Sequence, residues 1–251
     1  MAVHVETRTV EGVEGDDAIT LVTLDRPERR NAVDHQTLAE LTEAIEGASS
    51  RRTRVLVLTG AHGHFCSGAD LTGVEDSSFA TLLQGVLDRL RDVSFPTIAA
   101  VEGAALGAGS QLAVACDLRV ATASASFGVP AAKLGLMVNH WTVQRIATLA
   151  GPSIARAMLL AAEVITGDDA LRHGMVNRQG ALPEALDWAE QIARLAPLTI
   201  AGHKLMLNAL EAAPADDKTI AEAFDKAWKS TDFAEGIDAF RNRRRPVFRG
   251  E

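Results

Sequence analysis

The stretch Thr97-Ile98-Ala99-Ala100-Val101-Glu102-Gly103-Ala104-Ala105-Leu106-Gly107-Ala108-Gly109-Ser110-Gln111 decides how this chain folds. Thr97 to Val101 is an apolar run with β-branched residues at both ends, which reads as a buried strand. The glycines and small residues after it force a tight turn into a helix that begins near Ala108. A helix start presents free backbone N–H groups and the positive end of a dipole. That arrangement suits a developing negative charge. Proton-transfer chemistry on such a turn would next need a carboxylate. Gln111 stands there instead, and its amide cannot act as a base.

The segment upstream repeats the layout. Val55-Leu56-Val57-Leu58 is a continuous apolar run, suited to a strand buried on both faces. Thr59 to Leu71 then supplies a glycine-bearing turn. Ile19 to Leu24 alternates as a strand does, and Arg26-Pro27 ends it. Asp34 is placed to cap a helix with apolar positions Leu38, Leu41, Ala44 and Ile45. Leu82, Leu83, Val86, Leu87 and Leu90 mark another helix, and Leu118 to Ala121 another strand. Strands alternating with helices predict a parallel α/β core with right-handed crossovers. From Trp141 onward the patterns are helical, over 143–149, 154–160, 182–195, 200–210 and 220–228, with no comparable strand signal. The reading is a core over residues 1–195 and a helical extension over 196–251 that covers the core or packs between subunits.

With 47% apolar residues the chain can bury a sizeable core. A net charge of −8 argues against nucleic acid as a partner. Cys66 and Cys116 lack metal-ligand spacing, which fits a reduced, cytoplasmic setting. The most apolar stretch, 98–114, contains Glu102 and Gln111 and is a buried strand–turn–helix rather than a membrane span. His62 and His64 lack a third ligand, so no metal is expected.

Two glycine turns on adjacent strands can aim the N–H groups of Ala69 and Ala108 at one point, the geometry of an oxyanion hole. The same layout also serves a plain tight crossover. The pair Phe65-Cys66-Ser67-Gly68-Ala69-Asp70-Leu71 and EGAALGAGSQLAVACDLRV (102–120) resembles the two signature segments of the enoyl-CoA hydratase/isomerase, or crotonase, superfamily. LDRPERRNAVD (24–34), ASFGVPAAKLGL (125–136), ITGDDALRHGMVNR (165–178) and RRRPVFRGE (243–251) agree with it in order and spacing.

The resemblance implies a crotonase-type ββα spiral with a C-terminal helical region that assembles trimers or dimers of trimers. It implies a coenzyme A thioester as ligand and no separate cofactor. Its oxyanion donors fall on Ala69 and on Ala108, where members commonly have glycine. Arg29, Arg30 and Ala32 match the part bordering the nucleotide end of coenzyme A. Asp70, Leu71 and Thr72 match the pantetheine channel, and Phe79, Met137 and Trp141, with Val138, would shape an acyl pocket.

Hydratases of the family carry two glutamates. Their positions here hold Gln111 and Ala131, and a position used by some isomerases holds Asn139. The resemblance therefore implies a fatty acyl-CoA-binding protein with little or no hydratase activity, similar to a mycobacterial non-hydratase branch linked to mycolic-acid metabolism. Fatty-acid synthesis enzymes are the implied protein partners. The alternative is an active isomerase, hydratase or thioester hydrolase whose base lies elsewhere, at His140, Glu75 or Asp76. A third reading is an interaction module with a vestigial pocket.

Overall fold

The chain winds around a six-stranded sheet in the computed structural model, which describes residues 1–14, 17–72, 78–210, 222, 225–226 and 228–247. The strands are β1 (Val3–Arg8), β2 (Ile19–Leu24), β3 (Val55–Gly60), β4 (Thr97–Val101), β6 (Leu118–Ala121) and β9 (Arg178–Gln179), in that spatial order. β1 is antiparallel to β2, and the other neighbours are parallel. A second sheet holds β5 (Ala104–Leu106), β7 (Ser126–Gly128) and β8 (Val164–Thr166). Isolated bridges, Val33 with Ala69 and Cys66 with Ala105, link the preceding turns to it.

The chain thus repeats one unit: a strand in the large sheet, a short paired segment in the second layer, then a helix. β2 leads through Val33 to α1 (His35–Ser49), and β3 through Cys66 and Ala69 to α2 (Ser78–Asp92). β4 leads through β5 to α3 (Ala108–Ala115), and β6 through β7 to α4 (His140–Leu160). This is the ββα spiral. Asp34 caps α1 by accepting a hydrogen bond from the Thr37 N–H at 2.8 Å.

The large sheet is apolar on both faces because its strands alternate between two cores. Leu56, Leu58, Ala99 and Val101 face the core shared with α1, α2 and α3. Val55, Val57, Ile98 and Ala100 face the opposite side, against Ala185, Ala189 and Ile192 of α6 (Leu182–Ala193). All eight residues of α3 are buried, so its Ala- and Gly-rich composition serves close packing.

Several expectations change. β1 was not anticipated: only Val3 of its six residues is buried, so it carries no alternating pattern. The helical reading after Trp141 misses β8 and β9, each too short to show a period. The segments 143–149 and 154–160 both fall in α4, which turns sharply at Gly151-Pro152. Leu82 lies off the buried stripe of α2 and is exposed. Most of 220–228 lies outside the described residues. No helix among the described residues is long and apolar enough to cross a membrane.

Beyond α5 (Gly167–Arg172) and α6 the described residues include two further helices. Helix α7 (Pro197–Leu210) is anchored by Lys204, whose ammonium is buried. Its Nζ donates to the Leu90 and Phe95 carbonyls and pairs with Asp117 at 2.8 Å. Asp117 in turn accepts from the Thr97 N–H at 2.7 Å, so α7 is tied to the first residue of β4. Helix α8 (Thr231–Arg241) lies on the short 3-10 helix Pro130–Leu134. Contact there is backbone to backbone, since a Cβ on Gly236 would stand 2.2 Å from the Leu134 carbonyl oxygen.

Candidate functional site

The two glycine turns lie against each other. Cys66 N–H donates to the Ala104 carbonyl at 2.8 Å, and Leu106 N–H donates back to Cys66 at 3.0 Å. Such close approach depends on missing side chains. Gly68 has φ +122°, and a Cβ there would stand 3.2 Å from the Leu106 carbonyl oxygen. A Cβ on Gly109 would stand 2.1 Å from the Cys66 carbonyl oxygen.

Hydrogen bonding around this junction leaves two donors free. The parallel bridge at Val33 uses the N–H groups of Val33 and Asp70 and skips that of Ala69. Ala108 opens α3, and no side chain caps that helix start. Among the described residues, neither the Ala69 nor the Ala108 N–H donates to a protein group.

A third turn braces the other two. Asn31, buried with φ +58°, accepts from the Arg26 N–H and donates to the Ala61 and His64 carbonyls at 2.9 and 2.6 Å. Arg26 bonds the Ala32 carbonyl at 2.7 Å and pairs with Asp34 and Asp70 at 3.1 and 3.0 Å. Burial opposes ionisation of Asp70. Hydrogen bonds from Thr72 and Arg26, with the charge of Arg29, outweigh it and hold the carboxyl below the usual carboxylate range. Asp70 is therefore a structural anion tying Arg26 to the second turn. Nothing in one sequence marks Asn31 as buried or Arg26 as half-buried, because both types are ordinarily exposed.

Other predicted residues fall around this frame. The Arg29 side chain is half-exposed and 3.8 Å from Asp70. Arg30 is exposed with φ +48°, and its carbonyl accepts from the Ser67 N–H. Ala32 and Leu71 are buried, and Thr72 is exposed. Leu71 offers its carbonyl to Arg241 of α8 at 3.2 Å. Phe79 is buried in the core, edge-on to His35. Met137 is half-buried and accepts from the Trp228 indole at 3.0 Å. Trp141 is half-buried beneath the Arg91 guanidinium. His62 lies beside Asp25, and the His64 Nδ1 accepts from the Ala104 N–H. Burial pushes the thiols of Cys66 and Cys116 up to about 12, so both are inert packing groups near neutrality.

The amide positions form one polar chain. Gln111 is 8% exposed, and its Oε1 accepts from the Thr142 hydroxyl at 3.0 Å. Asn139 caps α4 by accepting from the Thr142 N–H at 2.9 Å, and its Nδ2 donates to Gln84. Gln84 donates to Asp88 at 2.7 Å. Thr142 and Gln84 were absent from the sequence reading. Ala131 sits half-buried in the 3-10 turn, and His140 is the first residue of α4. Glu75 and Asp76 lie outside the described residues.

Strand, bridge, helix and paired turns together define a class of fold and site, and a model of the enoyl-CoA hydratase/isomerase family matches residues 14–251. The chain belongs to that family. It is 44% identical over 249 residues to the probable enoyl-CoA hydratase echA6 of Mycobacterium tuberculosis, covering 95% of this chain and 99% of that protein. Identity to the 2,3-dehydroadipyl-CoA hydratase of Escherichia coli is 35% over 252 residues, covering 95% and 98%. Among solved structures it is similar to a carnitinyl-CoA hydratase from Mycobacterium avium, with 32% identity, coverage of 100% and 99%, and a TM-score of 0.81.

Proposed function

We infer that this protein binds fatty acyl-CoA thioesters, with the Ala69 and Ala108 N–H groups receiving the thioester oxygen, and has little or no hydratase activity. The observation that carries the reading is the pair of unused N–H donors on two turns joined by the Cys66–Ala105 bridge. Donors fixed in place need no reorganisation when charge develops on an oxygen between them. Gln111 and Ala131, where the family's hydratases carry glutamate, supply neither a base for water nor an acid for the α-carbon. Arg29 and Arg30 are assigned to the nucleotide end of coenzyme A, and Met137 and Trp141 to the acyl wall. A place in fatty-acid metabolism, beside fatty-acid synthesis enzymes, follows from this ligand class.

Titration calorimetry with a long-chain acyl-CoA and a short 2-enoyl-CoA, with each product weighed by mass spectrometry, tests the reading. Binding without conversion is expected. Rapid hydration of the enoyl thioester would sink it. Ala108→Pro removes one donor at the first helical position, where proline is tolerated. It should weaken acyl-CoA binding about tenfold, the order of one well-made hydrogen bond, with little change in thermal stability.

A second reading, an isomerase or thioester hydrolase with a base outside the glutamate positions, is favoured by the same intact donors. Conversion of either ligand in that titration would select it and direct mutagenesis to His140, Glu75 and Asp76.

Residues 196–251 are assigned to oligomerisation. Helix α7 leaves Leu198 88% exposed and Leu210 81% exposed, with Leu205 and Leu207 also uncovered. Sedimentation of the purified chain as a trimer or hexamer is expected, and a monomer would remove this assignment.

A further inference from the structure

Gln111 has one half of its amide engaged and the other half free. The Thr142 hydroxyl is fully buried and has Gln111 Oε1 as its acceptor. That hydroxyl gives its proton to Oε1, its acceptor among the described residues. Flipping the amide would orphan the hydroxyl proton. Thr142 is itself held: its N–H donates to Asn139, Asn139 donates to Gln84, and Gln84 donates to the Asp88 carboxylate. A carboxylate that only accepts and a backbone N–H that only donates terminate this chain, which fixes the amides of Asn139 and Gln84 and holds Thr142 where its hydroxyl meets Gln111.

Gln111 Nε2, in contrast, donates to nothing among the described residues, although the residue is more than nine-tenths buried. Gln111 lies one turn after Ala108 on the same face of α3, and helical side chains lean toward the N-terminal end. The free amide nitrogen is thus directed to the side of the helix start where Ala108 presents its N–H. Gln111 thus stands one turn from the Ala108 N–H with an amide donor to spare.

We propose that the pocket selects 3-oxoacyl-CoA thioesters, with Gln111 Nε2 donating to the 3-oxo oxygen while Ala69 and Ala108 hold the thioester oxygen. A 1,3-dicarbonyl presents two acceptors separated by one carbon, which is what one oxyanion site with an adjacent amide donor can satisfy. A saturated acyl or 2-enoyl chain has no acceptor at that carbon and gives the Gln111 N–H no partner. Thr142 is the positioning residue, since it decides which end of the amide faces the ligand. The proposal rests on the acyl-CoA-binding reading above and adds the substrate class.

The test is calorimetric titration of the full-length protein with lauroyl-CoA and 3-oxolauroyl-CoA, whose equal chain lengths cancel the acyl-wall contribution. The wild type is expected to prefer the 3-oxo thioester about tenfold, as one additional hydrogen bond to the ligand would give. Gln111→Leu should bring the ratio of the two affinities to about one. Thr142→Val should also erase most of it, because the freed amide can turn its oxygen outward, and Thr142→Ser should restore it. A structural role alone would shift both ligands together and leave their ratio unchanged. Equal affinities in the wild type, or a preference that survives Gln111→Leu, overturn the proposal alone. Binding of neither thioester overturns it together with the acyl-CoA reading.

Discussion

Joint replacement Gln111→Glu with Ala131→Glu should raise the hydration of crotonyl-CoA far above the wild-type rate. The two positions are where hydratases of the family carry their acid and base. A positioned general acid or base contributes roughly 100- to 10,000-fold each. Glutamate is nearly isosteric with Gln111, and the Thr142 hydroxyl that now donates to Oε1 would donate equally to a carboxylate oxygen. Ala131 sits half-buried in the 3-10 turn, so a glutamate there is not fully enclosed. Groups that act as a pair are not additive. Each single variant should therefore stay within about tenfold of background, and the double variant should rise about 10,000-fold above it. Loss of the conjugated-thioester absorbance reads the rate. A wild type already as fast as the double variant would show that a base exists elsewhere.

Gly109→Ala is expected to cost about 3 kcal/mol of stability, the upper part of the usual range for overpacking, and to abolish acyl-CoA binding. The added Cβ would meet the Cys66 carbonyl oxygen at 2.1 Å, and both partners are backbone. Relief requires separating α3 from the Cys66 turn, which breaks the bridge to Ala105 and parts the two donors. Gly47→Ala is the control. It lies in α1 with open space around its would-be Cβ, so the same chemical change should stabilise by about 0.5–1 kcal/mol. Denaturation midpoints of both variants check the opposite signs. A stable, ligand-binding Gly109→Ala protein would refute the paired-turn account.

Much of the fold could be read from local pattern because much of it is local. Strands β2, β3, β4 and β6 are short apolar runs between breakers, and they form as read. Asp34 as the cap of α1 and Ala108 as the start of α3 depend on a few adjacent residues. The short strands β5, β7, β8 and β9 have no period of their own. Each exists because a neighbour offers unpaired backbone groups, as Ala104–Leu106 pairs with Ser126–Gly128. Arg26 and Asn31 escaped notice for a related reason. The burial of Asn31 and the partial cover of Arg26 are created by three turns converging on them, and composition alone places such residues at the surface.

The sequence by itself determined the alternation of β2, β3, β4 and β6 with helices, the glycine turn that opens α3, and the presence of an amide where a carboxylate would act. These follow from the chemistry of residues adjacent in the chain. Only the tertiary structure decided what that amide does. Its orientation depends on Thr142, which lies 31 positions further along, and on a chain of hydrogen bonds through Asn139 to Gln84 on another helix. Whether the Ala69 and Ala108 donors meet depends on two turns that pack without side chains between them. Hydrogen-bond direction and backbone approach are properties of groups brought together in space, and the folded backbone alone brings these together.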